Sequence, residues 1–242
     1  MSITLYKFGK QWGIADASPF CVKLESFLKI NNIAYTLGDF DMRSTIGKAP
    51  KKKIPFIVDE NGKAMGDSSL IIEALSKEHG IDMEASLNDE QRAISHAFRI
   101  MIDENLYFIL VYSRWIDDTG WSVSFPTFFK KAPAIIRGLI GKKIRKDVTK
   151  KAYAQGIARH SHDEIYHKGA QDLKALSTLL GDNTWFFGAN SPGLLDLWAH
   201  AMVINIIIPP IETDLKTQAL KHKNLCDHAH RLQEQLYGAI TT

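Results

Sequence analysis

The sequence is poor in the features that would narrow its class at once. Cysteine occurs twice in 242 residues, as Cys21 and Cys226, too far apart to suggest a disulfide framework and suited to a reducing compartment. Net charge is only +3, too small by itself to imply nucleic acid. No apolar run is long enough to span a bilayer: Ala201 to Ile211, the most apolar stretch, contains Asn205 and Pro209-Pro210. The opening MSITLYKFGKQW has no extended apolar segment, so no secretory leader is expected. The remainder, 45% hydrophobic and 24% charged, is the make-up of a folded globular chain of one large or two modest domains, expected in the cytoplasm.

The first eighty residues alternate between strand and helix signals. Ile3 to Phe8 reads as a short strand stopped by Gly9, with a loop from Gly9 to Ala17. A helix is expected from Ser18 to about Asn31, with Phe20, Leu24, Phe27 and Leu28 at helical spacing. Ala34 to Phe40 is a second strand. Met42 to Lys53, with a Gly, a Pro and several charges, reads as loop or broken helix. Ile54 to Asp59 is a strand with Pro at its entrance, where no ladder donor is needed. Asn61-Gly62 turns the chain into a returning strand at Lys63 to Met65, and Gly66-Asp67-Ser68-Ser69 starts a helix ending at Gly80. The order β-α-β, loop, β-β-α predicts an α/β unit with a mixed four-stranded sheet over residues 1–81.

Three points in this unit carry chemistry. Ser18-Pro19 is a helix-start signal, because the Ser hydroxyl can accept from a free N–H of the first turn and Pro lacks the N–H that would go unpaired. A hydroxyl there stands among backbone donors at the positive end of a helix dipole, a good place for an anion such as a thiolate. Ile54-Pro55 would expose the Ile54 backbone to an extended ligand if its bond were cis, which the residues alone do not decide. Asp67-Ser68 supplies a carboxylate, a hydroxyl and free N–H groups, which either cap the helix or hold an amino-acid-like head.

After a polar link at Asp82 to Glu90 the pattern turns helical and stays so, which predicts an all-helical unit over residues 90–242. Gln91 to Asp118 is one long helix or two stacked ones. Phe98, Tyr107, Phe108, Tyr112, Trp115, Trp121, Phe125, Phe128 and Phe129 either fill the core or wall an apolar ligand site. Lys130 to Lys151 holds nine basic residues against one acidic residue, Asp147. It reads as a solvated helix face or as a surface for anionic lipid or another acidic partner. Nucleic acid is not expected, since no recognised binding motif accompanies it. His160, His162 and His167 form no compact metal set. His222, Cys226 and His230, with His228 nearby, read as a stripe facing a neighbouring helix, the outer pair being about 12 Å apart along the axis; no metal is expected.

Taken in order, SPFC at a helix start, KIPF at a strand entrance and DSS at a later helix start resemble the glutathione transferase superfamily. The stretches SPFCVKLESFL, PKKKIPFIVDENGKAMGDSSLIIEAL and GIARHSHDEIYHKGAQDLKALSTLLGDNTWFFGANSPGLLD are similar to its metaxin-like and failed-axon-connections branch. The resemblance implies a thioredoxin-like domain followed by a helical bundle domain, a homodimer, and glutathione as co-substrate with a small apolar electrophile. It makes Ser18 the thiol activator. Lys53 and Ile54 take the middle and glycyl end of glutathione, next to a cis Pro55, and Asp67 and Ser68 grip its γ-glutamyl end. Because the branch includes members with no clear catalysis, it also implies a non-catalytic interaction module as an alternative. A glutathione-dependent reductase using Cys21 is another. Ser191-Pro192-Gly193-Leu194-Leu195-Asp196 resembles the superfamily's buried helix start, with Gly193 where Ser or Thr is usual, so a weaker cap is expected there.

Overall fold

Alternation in Ile3-Thr4-Leu5-Tyr6 buries Ile3 and Leu5 and makes β1 (Ile3–Tyr6) an inner strand. In the computed structural model, which describes residues 3–130 and 133–240, α1 (Pro19–Ile30) carries the chain to β2 (Tyr35–Leu37), parallel to β1. A short α2 (Met42–Lys48), capped by the Asp41 carboxylate on the Ser44 N–H, leads to β3 (Phe56–Val58), antiparallel to β1. The Asn61-Gly62 turn then returns the chain as β4 (Ala64–Gly66), so the sheet runs β2-β1-β3-β4. This is the expected mixed four-stranded sheet of a thioredoxin-like domain. The first three strands are shorter than the residues suggested. The third begins only at Phe56, because Pro55 has no N–H for the ladder. In the stretch read as loop or broken helix, α2 is unbroken over its seven residues. It stops at Ala49, which is extended at ψ 128 because the residue before a proline avoids helical backbone. α3 (Ser68–His79) starts under Asp67 and ends where Gly80 takes φ +65.

The rest is helical, as expected. α4 (Asp89–Met101) opens on a reciprocal cap between Asn88 and Gln91. It continues through a π turn (Ile102–Leu106) into α5 (Tyr107–Trp115), so the stretch read as one long helix or two stacked ones is one rod from Asp89 to Trp115 with a wide turn in its middle, and Asp118 already belongs to the next helix. Then follow α6 (Asp118–Phe129), α7 (Ala134–Gln155), α8 (His162–Leu180), α9 (Leu194–Ile207), α10 (Asp214–Leu220) and α11 (Lys223–Tyr237). The basic stretch forms most of α7; Lys131 lies outside the described residues, as do the side chains of Ile135 and Ile136.

The most apolar run of the sequence is α9, buried from Leu195 to Ile207 and packed against α1, α4, α10 and α11. Among the described residues no helix is long and apolar enough to cross a membrane. The start of α9 corrects the expectation of a weak cap. Asp196 accepts from the Gly193 N–H at 2.8 Å and the Phe186 N–H at 3.1 Å, and its Oδ1 lies 2.8 Å from His228 Nε2. The missing hydroxyl is offset by two partners from outside the helix. Of the C-terminal stripe, His228 is thus taken by Asp196, and the Cys226 thiol lies 3.4 Å from the Ala219 carbonyl.

Candidate functional site

The loop between β1 and α1 is built on a buried carboxylate. Asp16 has no exposed surface. Its two oxygens accept from the Gly9 N–H at 2.7 Å and the Ser18 N–H at 2.8 Å, closing the loop and setting Ser18 at the head of α1. Burial pushes the Asp16 carboxyl up to about 6, against the pull of those two N–H groups and of Lys7. Beneath it, buried Lys7 pairs with Glu25 and donates to the Ala15 carbonyl at 3.1 Å, and the Tyr35 hydroxyl donates to Glu25 at 2.9 Å.

Ser18 is half-buried at the cap position, but its hydroxyl makes no hydrogen bond to the first turn. This corrects the capping role read from Ser18-Pro19: the backbone of Ser18 is held by Asp16 and its hydroxyl stands beside the Cys21 thiol instead. Cys21 is sealed in a small core with Ala49, Ile54 and Phe56. Burial first, and Asp16 second, push its thiol well above the ordinary range, while Ser18 and the Phe8 backbone pull it down. A nucleophilic cysteine needs the reverse balance and access to solvent. What Cys21 does is pack the first turn of α1 against Ile54, and the Ile54-Pro55 bond is cis. Lys53, just before it, is exposed.

The third segment joins from α3. Asp67 takes φ 86 and its Oδ1 accepts from the Ser69 and Leu70 N–H groups at 3.1 and 3.3 Å, while Oδ2 lies 3.4 Å from exposed Lys51. Ser68 is buried. Ser69 reaches back to α1 through Lys23, whose ammonium lies 3.2 Å from its hydroxyl. Lys23 is 2% exposed, held at 2.8 Å by Asp103 of the π turn and 4.0 Å above the Trp198 ring. The Trp198 indole N–H donates to the same Asp103 oxygen at 2.9 Å. Burial pulls the Lys23 ammonium down and Asp103 pushes it back up. Ser18, Ile54-Pro55 and Asp67-Ser68, separate in the sequence, are therefore linked through α1: by Cys21 to Ile54 and by Lys23 to Ser69. Sequence reasoning misses Lys23 and Asp103. A lysine inside an apolar helix pattern, and an Asp-Glu pair inside the apolar Ile94 to Leu110, are the signals that point to them.

The helical part closes the other side. Arg114 of α5, 5% exposed, donates to the carbonyl of Ala17, the residue before Ser18, and to Asn205. Asn205 in turn donates to the Asp16 carbonyl at 3.3 Å. Burial lowers the Arg114 guanidinium to about 10. Its central carbon stands 5.3 Å from the Trp12 ring, which meets Phe128 edge-on at 5.2 Å. Trp115 stacks on Phe128 at 5.2 Å and Trp121 on Phe125 at 4.9 Å. Phe98, Tyr107, Phe108 and Tyr112 pack against the edge of the core, while Trp115, Trp121, Phe125, Phe128 and Phe129, all half-buried, line surface. The shelf depends on Gly120: a Cβ there would come within 1.7 Å of the Ser113 carbonyl, so only glycine lets α6 approach α5 this closely. Tyr107 extends the shelf toward the head of α1, its ring 4.5 Å from that of Phe20.

Two family models match in the same order as these parts. The glutathione S-transferase N-terminal domain matches residues 19–120, and the glutathione S-transferase C-terminal domain matches residues 169–232. The chain belongs to the glutathione transferase superfamily. The isoprene-epoxide–glutathione S-transferase of Rhodococcus sp. is 28% identical over 96% of this chain and 98% of its own length. Failed axon connections of Drosophila melanogaster is 29% identical over 97% of this chain, which spans 58% of that longer protein. The metaxin of the mitochondrial outer membrane import complex of Arabidopsis thaliana is 23% identical over 99% of this chain and 74% of its own. These relatives match the metaxin-like and failed-axon-connections branch. Among solved structures, a glutathione S-transferase of Methylobacterium radiotolerans in complex with glutathione sulfonate superposes with a TM-score of 0.62 at 15% identity, over 100% of this chain and 97% of that one. At that identity the likeness is one of fold.

Proposed function

We propose that this protein binds glutathione at the head of α1 and joins the glutathionyl group, through its sulfur, to a small apolar electrophile resting on the aromatic shelf. The observation that supports the reading is that α1 joins the three segments: Ser18 stands at its head, Cys21 packs against Ile54, and Lys23 lies 3.2 Å from Ser69, the residue after Asp67-Ser68. The donor set suits a charged peptide. Asp67, whose Oδ1 caps the Ser69 and Leu70 N–H groups, offers its Oδ2 to an ammonium, and the Ser68 hydroxyl and N–H offer donors to a carboxylate. The Ile54 backbone takes the middle of the peptide, with Lys53 at its glycyl end.

Glutathione supplies a thiol, of which only a few per cent is ionised at neutral pH if its pKa stays near 8.5. Ser18 donates a hydrogen bond to the sulfur at a helix N-terminus, and both favour the anion. The thiol proton leaves to solvent, and a sulfur lone pair forms the new S–C bond while the displaced atom departs with its bonding pair. The Rhodococcus relative, named as a transferase, supports the enzyme reading. The failed-axon-connections and metaxin relatives favour a second reading, an interaction module of the same fold without the transfer step.

Retention on immobilised glutathione tests the site. Asp67→Asn, which keeps an acceptor for the α3 cap while removing the charge, is expected to elute earlier than wild type, and Asp67→Ala not to be retained. Conjugation of a chlorodinitrobenzene tests the chemistry: Ser18→Ala is expected to lose about a hundredfold in kcat/KM, the cost of one donor to a developing anion. Unchanged turnover in Ser18→Ala removes Ser18 as the activator. Retention without turnover in the wild type leaves the module reading.

A further inference from the structure

Helix α7 has two unlike faces. On the inner one, Gly141 meets the Phe125 ring so closely that a Cβ would stand 2.3 Å from it, and Ala152 is buried. Arg145 on that side ties back to the Ile116 carbonyl and the Asp118 carboxylate. These contacts fix the rotation of the helix. Leu139, Lys142, Lys143, Lys146, Lys150 and Tyr153 then fall within about 100° of arc on the opposite side. All six are exposed, Leu139 by 71% and Tyr153 by 56%. None of the four ammonium groups has a partner among the described residues. Arg159, whose guanidinium lies 4.9 Å from the Tyr153 ring, extends the positive face at its far end.

We propose that α7 docks the protein by this stripe on an anionic lipid surface. The cations of the stripe proper are all lysines, while Arg145, held by side-chain and backbone partners, faces inward. Lysine is a compact hydrated point charge without the fork that reads an individual phosphate or carboxylate. A row of them suits a diffuse sheet of negative charge better than one bidentate partner. Leu139 is set among the lysines, where it gains nothing from water but can enter the acyl boundary while the ammonium groups stay at headgroup level. Tyr153, apolar in body and polar at its tip, suits the same depth. The stripe lies outside the candidate transfer site, so docking does not depend on that site.

The test is sedimentation of the full chain with vesicles of phosphatidylcholine alone and with vesicles in which about a third of the lipid is phosphatidylserine. Binding is expected only to the anionic vesicles and is expected to fall as salt is raised. Replacing Lys142, Lys143, Lys146 and Lys150 together by alanine should lower partitioning by two orders of magnitude or more, at about fivefold per lysine. Leu139→Ala should lower it by about fivefold, with the circular dichroism of both variants unchanged. Equal binding to the two kinds of vesicle, or undiminished binding by the quadruple variant, overturns the proposal. So does binding to duplex DNA or polyglutamate with both vesicles ignored, which reassigns the stripe to an acidic polymer.

Discussion

Asp16 carries a consequence that the residues around it do not share. In the unfolded chain it loses its proton near the ordinary value of 3.8, and in the folded chain only near 6. Folding therefore takes up a proton between those values. The stability linked to this group is greatest below about pH 4 and falls as pH rises to 6, by on the order of 3 kcal/mol. His200 acts in the opposite sense over part of the range. Burial holds its imidazole down to about 3, so stability linked to it falls as pH drops below about 6.5. The difference between variants isolates the first effect. Urea unfolding of wild type and Asp16→Asn from pH 4 to 7 should give profiles that diverge, the wild type losing about 2 kcal/mol more across the range. Parallel profiles would show that Asp16 is not protonated in the fold. Asp16 is not legible in the sequence, because a carboxylate in a loop reads as solvated until the loop is seen to close over it.

Elements differ in how much of their role a local pattern reveals. The starts of α1 and α3 and the end of α3 can be read from Ser18-Pro19, Asp67-Ser68 and Gly80, because starts and stops rest on chemistry within one turn. The direction in which their side chains are used cannot. Lys23 is paired with a residue 80 positions later, and Arg114 with a carbonyl 97 positions earlier. Strand limits escape the sequence for the same reason, since a ladder ends where its neighbour ends. The head of α9 shows a cap made good by distant groups. Asp196→Ala strands the Gly193 and Phe186 N–H groups and leaves His228 without its partner, so it should cost about 3 kcal/mol or more. A thermal midpoint like that of wild type would refute this.

Across the whole molecule, the loop bearing Ser18 is fastened to the helical part rather than to its own sheet alone. Arg114 and Asn205 hold the Ala17 and Asp16 carbonyls, and the Tyr237 hydroxyl lies 3.0 Å from that of Ser26 on α1. Arg114→Met removes the charge while keeping much of the volume. It should leave the buried Ala17 and Asn205 carbonyls without this donor and destabilise the protein by about 2–3 kcal/mol. Amide exchange at Ala17 and Ser18 should quicken beyond the change in the β3 strand; equal quickening everywhere would mean that the tether is not local. The π turn at Ile102–Leu106 has a reach of another kind. It takes in one residue more than an α-helix would, so every position after it is rotated by about 100° from where an unbroken helix would put it. A homologue that spans the same rod without the extra residue must align with a one-residue gap there, or present a different set of side chains to the head of α1.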